Sequence, residues 1–318
     1  MPKKYFKKYS PFHLTRPSFL PLLTSFSIWA LVTHWVLYFY QGEFNLPRFN
    51  KLTFICALAM FIYTFSSWMY AIHKEATYLG EHTRRNQGMF IQGFKLFIAS
   101  ESLLFFSLFF AYFYIGLNPN IYIGCKWPPI GIEVMGATGL PRINLVLLLA
   151  SGITVSLYHR HFKVCHFGQP PYMYGKNYEY ILGHFTFFKR YNSPHKKINM
   201  SSFKVRISES LTWSTATMML GSIFVLVQAY EYYWCQFSSA EGAYGSLFFL
   251  ITGLHGFHVI VGLIMLAIQH RRIVNGEVSS YSFVGIKTAI YYWHFVDVVW
   301  IIVYLAIYVW PSYRASLF

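Results

Sequence analysis

Seven long apolar stretches, separated by polar or basic segments, organise the chain. They run over about 18–40, 50–72, 89–116, 141–160, 207–234, 244–270 and 284–310. As helices rising 1.5 Å per residue, each is long enough to cross roughly 30 Å of hydrocarbon. The pattern predicts an all-α, polytopic membrane protein with seven transmembrane helices. No sequence repeat relates the two halves, which argues against an inverted-repeat transporter.

Composition agrees with that class. Of 318 residues, 55% are hydrophobic, 21% aromatic and only 12% charged, where soluble domains carry about a quarter charged residues. Mean hydropathy is +0.38. Cys56, Cys125, Cys165 and Cys235 form no C-x-x-C pair, so they fit neither a disulfide scaffold nor a zinc site. The net charge of +15 would suggest nucleic acid in a soluble protein. Here it sits between the spans and becomes a topology signal.

Seven spans put the termini on opposite sides. On the N-terminal side, the segments 1–17, 72–88, 160–206 and 271–287 carry 5, 3, 9 and 3 Lys and Arg, 20 in all. The other side carries 5, in 41–51, 117–142 and at Arg314. Without the long segment 160–206 the bias is still 11 to 5. Positive charge stays on the cytoplasmic or matrix side, so the N-terminus is expected there. The basic opening "MPKKYFKKYSPFHLTRP" admits a targeting presequence, but it lacks the arginine and serine richness of one, and a positive-inside tail is favoured.

Two polar segments stand out. Residues 161–206 contain "HFGQPPYMYGKNYEYILGHFTFFKRYNSPHKK", a long connection in a chain whose other loops are short. His161, His166, His184 and His195 are irregularly spaced there, so a basic aromatic contact surface is favoured over a metal site. The loop after span two, "HKEATYLGEHTRRNQ", gathers His73, Lys74, Glu75, Glu81, His82, Arg84 and Arg85 beside the membrane. Such a cluster suits lipid headgroups or a protein partner, and equally an ordinary solvated loop.

Polar groups at bilayer depth are costly and mark sites or structural bonds. Glu101, in "FKLFIASESLLFFSLFF", has only Phe97, Ile98, Leu104 and Phe105 as helical neighbours at three and four residues. It must find a partner on another helix or keep its proton. We expect it to be buried and protonated, with His258 as the nominated partner. His255 and His258, in "TGLHGFHVIVG", share a helix face. H-x-x-H is a weak metal signal, and histidines bonded across a tight contact beside Gly253, Gly256 and Gly262 are favoured. His294 and Asp297 form another i,i+3 pair, and Gln228 with Glu231 a further one nearer the surface.

In order along the chain, "TYLGEHT", "FIASESLLFF", "WPPIGIE", "LLLASGITVSLYHR", "QAYEY", "AYGSLFFLITGLHGFHVIVG" and "YYWHFVDVVWIIVYLAIYVW" resemble the signatures of the cytochrome c oxidase subunit 3 family, part of the haem-copper oxidase subunit III group. The resemblance covers about residues 73–310 and is weak over the first two spans. It implies seven helices in a two-plus-five arrangement with a lipid-filled cleft. The domains would be a tail and two helices over 1–72, five helices over 73–310 with an insert at about 162–204, and a tail over 311–318. It implies a non-catalytic subunit of the terminal oxidase, packed on catalytic subunit 1, with no catalytic residue and no metal of its own. Haem and copper belong to partner subunits. Glu101 matches the family's functional carboxyl and is expected to modulate proton uptake. Bound phospholipid is implied near Lys74, Glu75, His82, Arg84 and Arg85. His255, His258, His294 and Asp297 become structural pairs, the last two satisfied within the bundle. The family joins spans four and five by a short loop, whereas about 45 residues intervene here. We expect the insert to contact lineage-specific subunits.

Abundant Phe, Tyr, Ile and Lys, with little Ala and Gly, resemble translation from an AT-rich organelle genome. That favours the mitochondrial inner membrane, multi-pass, with the N-terminus in the matrix. The equivalent subunit of a quinol oxidase is the nearest alternative. A haem-binding cytochrome using paired histidines and a proton-linked transporter using Glu101 and Asp297 are the others. A visible spectrum of the isolated chain separates them: we expect no Soret band, and the appearance of one would overturn the oxidase-subunit reading in favour of a cytochrome.

Overall fold

The computed structural model describes residues 17–40, 50–79, 81–167, 200–278 and 283–315. Over them the chain is helical and contains no strand. Helices α1 (Leu20–Phe39), α2 (Lys51–Lys74), α3 (Arg84–Leu117), α4 (Leu140–Phe167), α5 (Met200–Tyr233), α6 (Gly242–Val274) and α7 (Val284–Val303) follow in order. A π-helical turn at Glu75–Leu79 extends α2, and another at Tyr304–Val309 leads from α7 into α8 (Trp310–Ala315). Seven of the resulting helices are long and apolar enough to cross a membrane.

The predicted spans fall on these helices, and several helices outrun them. Hydropathy reports the part that lipid demands. The backbone goes on bonding to itself until a cap or breaker stops it. Thus α4 continues to Phe167 and α5 begins at Met200, so both flanks of the expected 162–204 insert are helical. Its middle, 168–199, lies outside the described residues, as do His184 and His195. At the start of α2, the Asn50 side chain accepts from the Leu52 N–H at 2.9 Å, a local N-cap. Asn275 and Gly276 stop α6, with Gly276 at φ 65°, the left-handed region where only glycine is unstrained.

The chain divides into two units, Met1–Gly88 and Met89–Phe318. In the first, α1 and α2 lie side by side. Ser27 Oγ meets Thr64 Oγ1 at 3.2 Å, and His34 Nε2 meets Thr53 Oγ1 at 2.9 Å. One index rises as the other falls, so the helices are antiparallel. Lipid offers no hydrophobic drive for helices to associate, and small hydroxyl residues that bond across a close contact supply it instead.

In the second unit the core follows α7. Ala289, Trp293, Val296, Trp300 and Val303 are completely buried. Their steps of four and three residues make one stripe along the helix. Trp293 is the member of the stripe on which neighbouring helices close. A Cβ on Gly221 of α5 would stand 2.5 Å from its Cη2, and one on Gly262 of α6 2.9 Å from its Cε3. Its Nε1–H donates to Ser151 Oγ of α4 at 3.0 Å. One indole therefore fixes four helices. Beside it α4 packs on α5, with Thr154 Oγ1 and Thr217 Oγ1 2.7 Å apart. Helix α3 meets the bundle through long side chains: Tyr112 is edge-on to Trp127 at 5.3 Å, and Trp127 is edge-on to Tyr244 at 5.3 Å. The outer faces carry exposed Leu103, Phe106 and Leu226, as a hydrocarbon solvent requires.

Of the three glycines expected to admit a neighbouring helix, Gly262 does so. A Cβ on Gly253 would meet only Tyr232 Oη, at 3.9 Å, and one on Gly256 nothing within 4 Å. Gly221→Ala should therefore force Trp293 to move and destabilise the protein by about 1–3 kcal/mol, whereas Gly256→Ala should not. Thermal unfolding in detergent would check this, and equal melting temperatures for the two variants would remove Trp293 as the central wedge.

Candidate functional site

Helices α3, α6 and α7 bring Glu101, His258 and Tyr292 together. Glu101 Oε2 and His258 Nε2 are 3.0 Å apart, so Glu101 has the partner expected from its apolar surroundings. The His258 side chain is 5% exposed and that of Glu101 21%. Glu101 is thus half-buried in this chain rather than enclosed. Tyr292 stacks beside the imidazole at 6.1 Å, and Phe105 meets it edge-on at 5.2 Å.

The hydrogen bonds limit what this pair can hold. His258 Nδ1 lies 2.7 Å from the Leu254 carbonyl oxygen. A carbonyl only accepts, so Nδ1 carries a hydrogen. A bond between Nε2 and Oε2 then needs one more proton, on either the carboxyl or the imidazole. In both arrangements the pair is neutral overall. Such a contact can pass a proton between its two atoms without creating net charge in hydrocarbon, where an isolated charge is expensive.

The other predicted polar residues go to different neighbours. His255 Nε2 donates to the Val296 carbonyl of α7 at 3.1 Å, and its ring lies 4.8 Å from that of Trp300. So the H-x-x-H histidines point to separate helices, one to α7 and one to α3. Glu231 accepts from Tyr308 Oη at 2.6 Å, and Gln228 Oε1 accepts from Asn144 Nδ2 at 3.2 Å. All four are buried, so these bonds lie inside the bundle, near the end of α5. His294 Nδ1 and Asp297 Oδ2 are 3.9 Å apart, too far for a hydrogen bond. They do not satisfy each other, because the His294 side chain is 41% exposed and turns to the outside of the helix.

Sequence reasoning missed Tyr308, Asn144, Ser151 and Tyr292. Asn144 and Ser151 were visible as polar residues inside span four. Tyr308 and Tyr292 were two among many tyrosines. At the α2–α3 corner, Lys74 and Arg85 are exposed, while Glu75 and His82 are half-buried. The corner is tied by its own side chains: Gln87 Nε2 donates to the His82 carbonyl at 2.8 Å, and Asn86 Nδ2 to that of Glu81 at 3.3 Å. Among the described residues no three His, Cys, Asp or Glu converge as a metal-binding group. His161 instead pairs with Glu209 at 2.8 Å.

A seven-helix membrane protein in which a carboxyl–imidazole pair, Glu101 with His258, joins α3 to α6 is the class this geometry defines. Comparison with known proteins narrows it. The profile of the family described as cytochrome c oxidase subunit III matches residues 10–190 and 198–312. Similar proteins include cytochrome c oxidase subunit 3 of Podospora anserina, 36% identical over 95% of this chain and 96% of the relative. That of Candida parapsilosis is 34% identical, with the same coverage of each chain. That of Mycosarcoma maydis is 32% identical over 96% of both. The chain belongs to the cytochrome c oxidase subunit III family.

Glu101→Ala leaves His258 Nε2 without a partner, which should cost about 1–3 kcal/mol. Glu101→Gln can donate an amide N–H to the same nitrogen and should cost much less. Thermal denaturation of the two variants would check this, and equal losses would mean that the Glu101–His258 bond does not hold α3 to α6.

Proposed function

We propose that this chain is a subunit of the respiratory terminal oxidase that passes electrons from cytochrome c to oxygen, and that it holds no redox centre itself. It packs on catalytic subunit 1, where haem and copper reside in the partner subunits, and sustains proton uptake there. The near-complete family match and the names of the relatives support the assignment. Those names also favour cytochrome c oxidase over the quinol oxidase alternative. Against a haem cytochrome stands the engagement of the paired histidines: His255 bonds through Nε2 to a backbone carbonyl, and His258 through both ring nitrogens.

The observation that carries the mechanism is the one-proton contact between Glu101 and His258. A group that exchanges a proton while remaining neutral overall can tune uptake in a neighbouring subunit without taking part in turnover. His255 serves helix packing. The basic corner of Lys74, Arg84 and Arg85, with Glu75 and His82, receives anionic phospholipid, each cation contributing about 1 kcal/mol near a membrane surface. The two-plus-five grouping with lipid between the groups is part of the same proposal. Support for it comes from the division of the chain after Gly88. The Lys and Arg distribution, 20 against 5, supports an N-terminus in the matrix. The fungal sources of the relatives support the mitochondrial inner membrane.

In the assembled oxidase, Glu101→Ala should leave initial electron transfer within about twofold of wild type, a change of ~0.4 kcal/mol in barrier, because no metal is touched. Proton uptake during sustained turnover should slow. Stopped-flow measurements of both would check this. Complete loss of electron transfer in a fully assembled complex would contradict a tuning role, as would unchanged proton uptake.

A further inference from the structure

A groove of about 520 Å³ runs along the outside of the second unit between α4 and α7, lined by Ile153, Ser156, Leu157 and Arg160 on one side and His294 and Asp297 on the other. Its walls are mostly aliphatic, but Asp297 makes it unusual. The Asp297 side chain is only 9% exposed, and among the described residues its Oδ2 has no hydrogen-bond partner, His294 Nδ1 standing 3.9 Å away. That oxygen lies 2.8 Å from where a Cβ on Gly152 would be, so the missing side chain there is what admits the carboxyl. Its Oδ1 has only Ser151 Oγ, at 3.5 Å. Ser151 has a single hydroxyl hydrogen, and the Leu148 carbonyl oxygen is nearer, at 2.7 Å. Its oxygen already accepts from Trp293 at 3.0 Å. Among the described residues the carboxyl thus has no firm donor, which is costly at this depth.

We infer that this groove seats a transmembrane helix of another oxidase subunit, one that presents a side-chain hydrogen-bond donor to Asp297. Depth selects the occupant. Asp297 is thirteen residues into α7 from Val284, about 20 Å along the axis, beyond the reach of lipid headgroups. An acyl chain would fill the walls and leave the carboxyl unpaired. A helix carrying Ser, Thr, Asn, Gln, Trp or Lys at that level fills the walls and supplies the donor. Gly152 and Ser156, four residues apart on α4, allow its backbone to come close. Arg160 lies three turns from Leu149 at the end of the same wall. The inference rests on the reading of the chain as an oxidase subunit.

The test is a photo-crosslinking residue in place of Ser156, in the assembled oxidase in its native membrane, with adducts mapped by mass spectrometry. A second probe in place of exposed Leu226 is the control. We expect the Ser156 probe to link to a membrane-spanning segment of another oxidase subunit. Asp297→Leu should lower the linked fraction about tenfold, the equilibrium worth of one buried hydrogen bond. Adducts with lipid only, with other parts of this chain, or none while the control position reacts, would overturn the docking site. A linked fraction unchanged by Asp297→Leu would overturn the role of the carboxyl. If the chain does not copurify with an oxidase, it is the functional reading that fails.

Discussion

Trp293 is the contact on which the second unit depends. Its indole occupies the space left by two missing side chains, Gly221 and Gly262, and its one N–H donates to Ser151. In water, burial of so large a ring would itself drive association. In lipid the surroundings are as apolar as the core, and what remains is shape and the single hydrogen bond. The glycines and the serine matter because they accept the ring, not because they are small in general.

The polar groups around that indole fall into two kinds. Some make at least one firm hydrogen bond across to another element. Glu101 meets His258, Glu231 meets Tyr308, and His255 reaches a backbone carbonyl across to α7. Each joins two elements at a depth where the alternative is an unpaired group in hydrocarbon. Asp297 is of the other kind. Its nearest hydroxyl is already committed, and its neighbour His294 faces outward. A closed pair specifies the fold of the subunit. An open one concerns what lies beside it.

The elements were legible because hydrophobic length is a direct demand of the bilayer. Spans at 18–40 and 50–72 became Leu20–Phe39 and Lys51–Lys74. Helix ends were less legible, since the turns beyond the hydrocarbon, as at Arg84 and Phe167, carry no hydropathy signal. Partners were the least legible. Glu101 could be marked as needing one because all its helical neighbours are apolar. Which residue answers it depends on the rotation of α6 against α3, which no one-helix pattern contains. The same ignorance left the partner of Glu231 unnamed, since the tyrosine that covers it lies seventy-seven residues away.

The π-helical turn at Tyr304–Val309 sets the phase of everything after it. An ordinary helical residue advances the face by about 100°, and a π turn takes up an extra residue without adding a full step of rotation. Upstream, the buried stripe of α7 keeps its register. Downstream, Trp310 comes to rest against Gly116, and Arg314 reaches the Gly116 carbonyl at 2.8 Å. The extra residue therefore works as a gear between two meshes. One mesh is cut for the core, the other for the end of α3. Loss of one residue from the turn would leave a more regular helix whose last two contacts face the wrong way. Chain length at this point is as much a part of the sequence's information as residue identity.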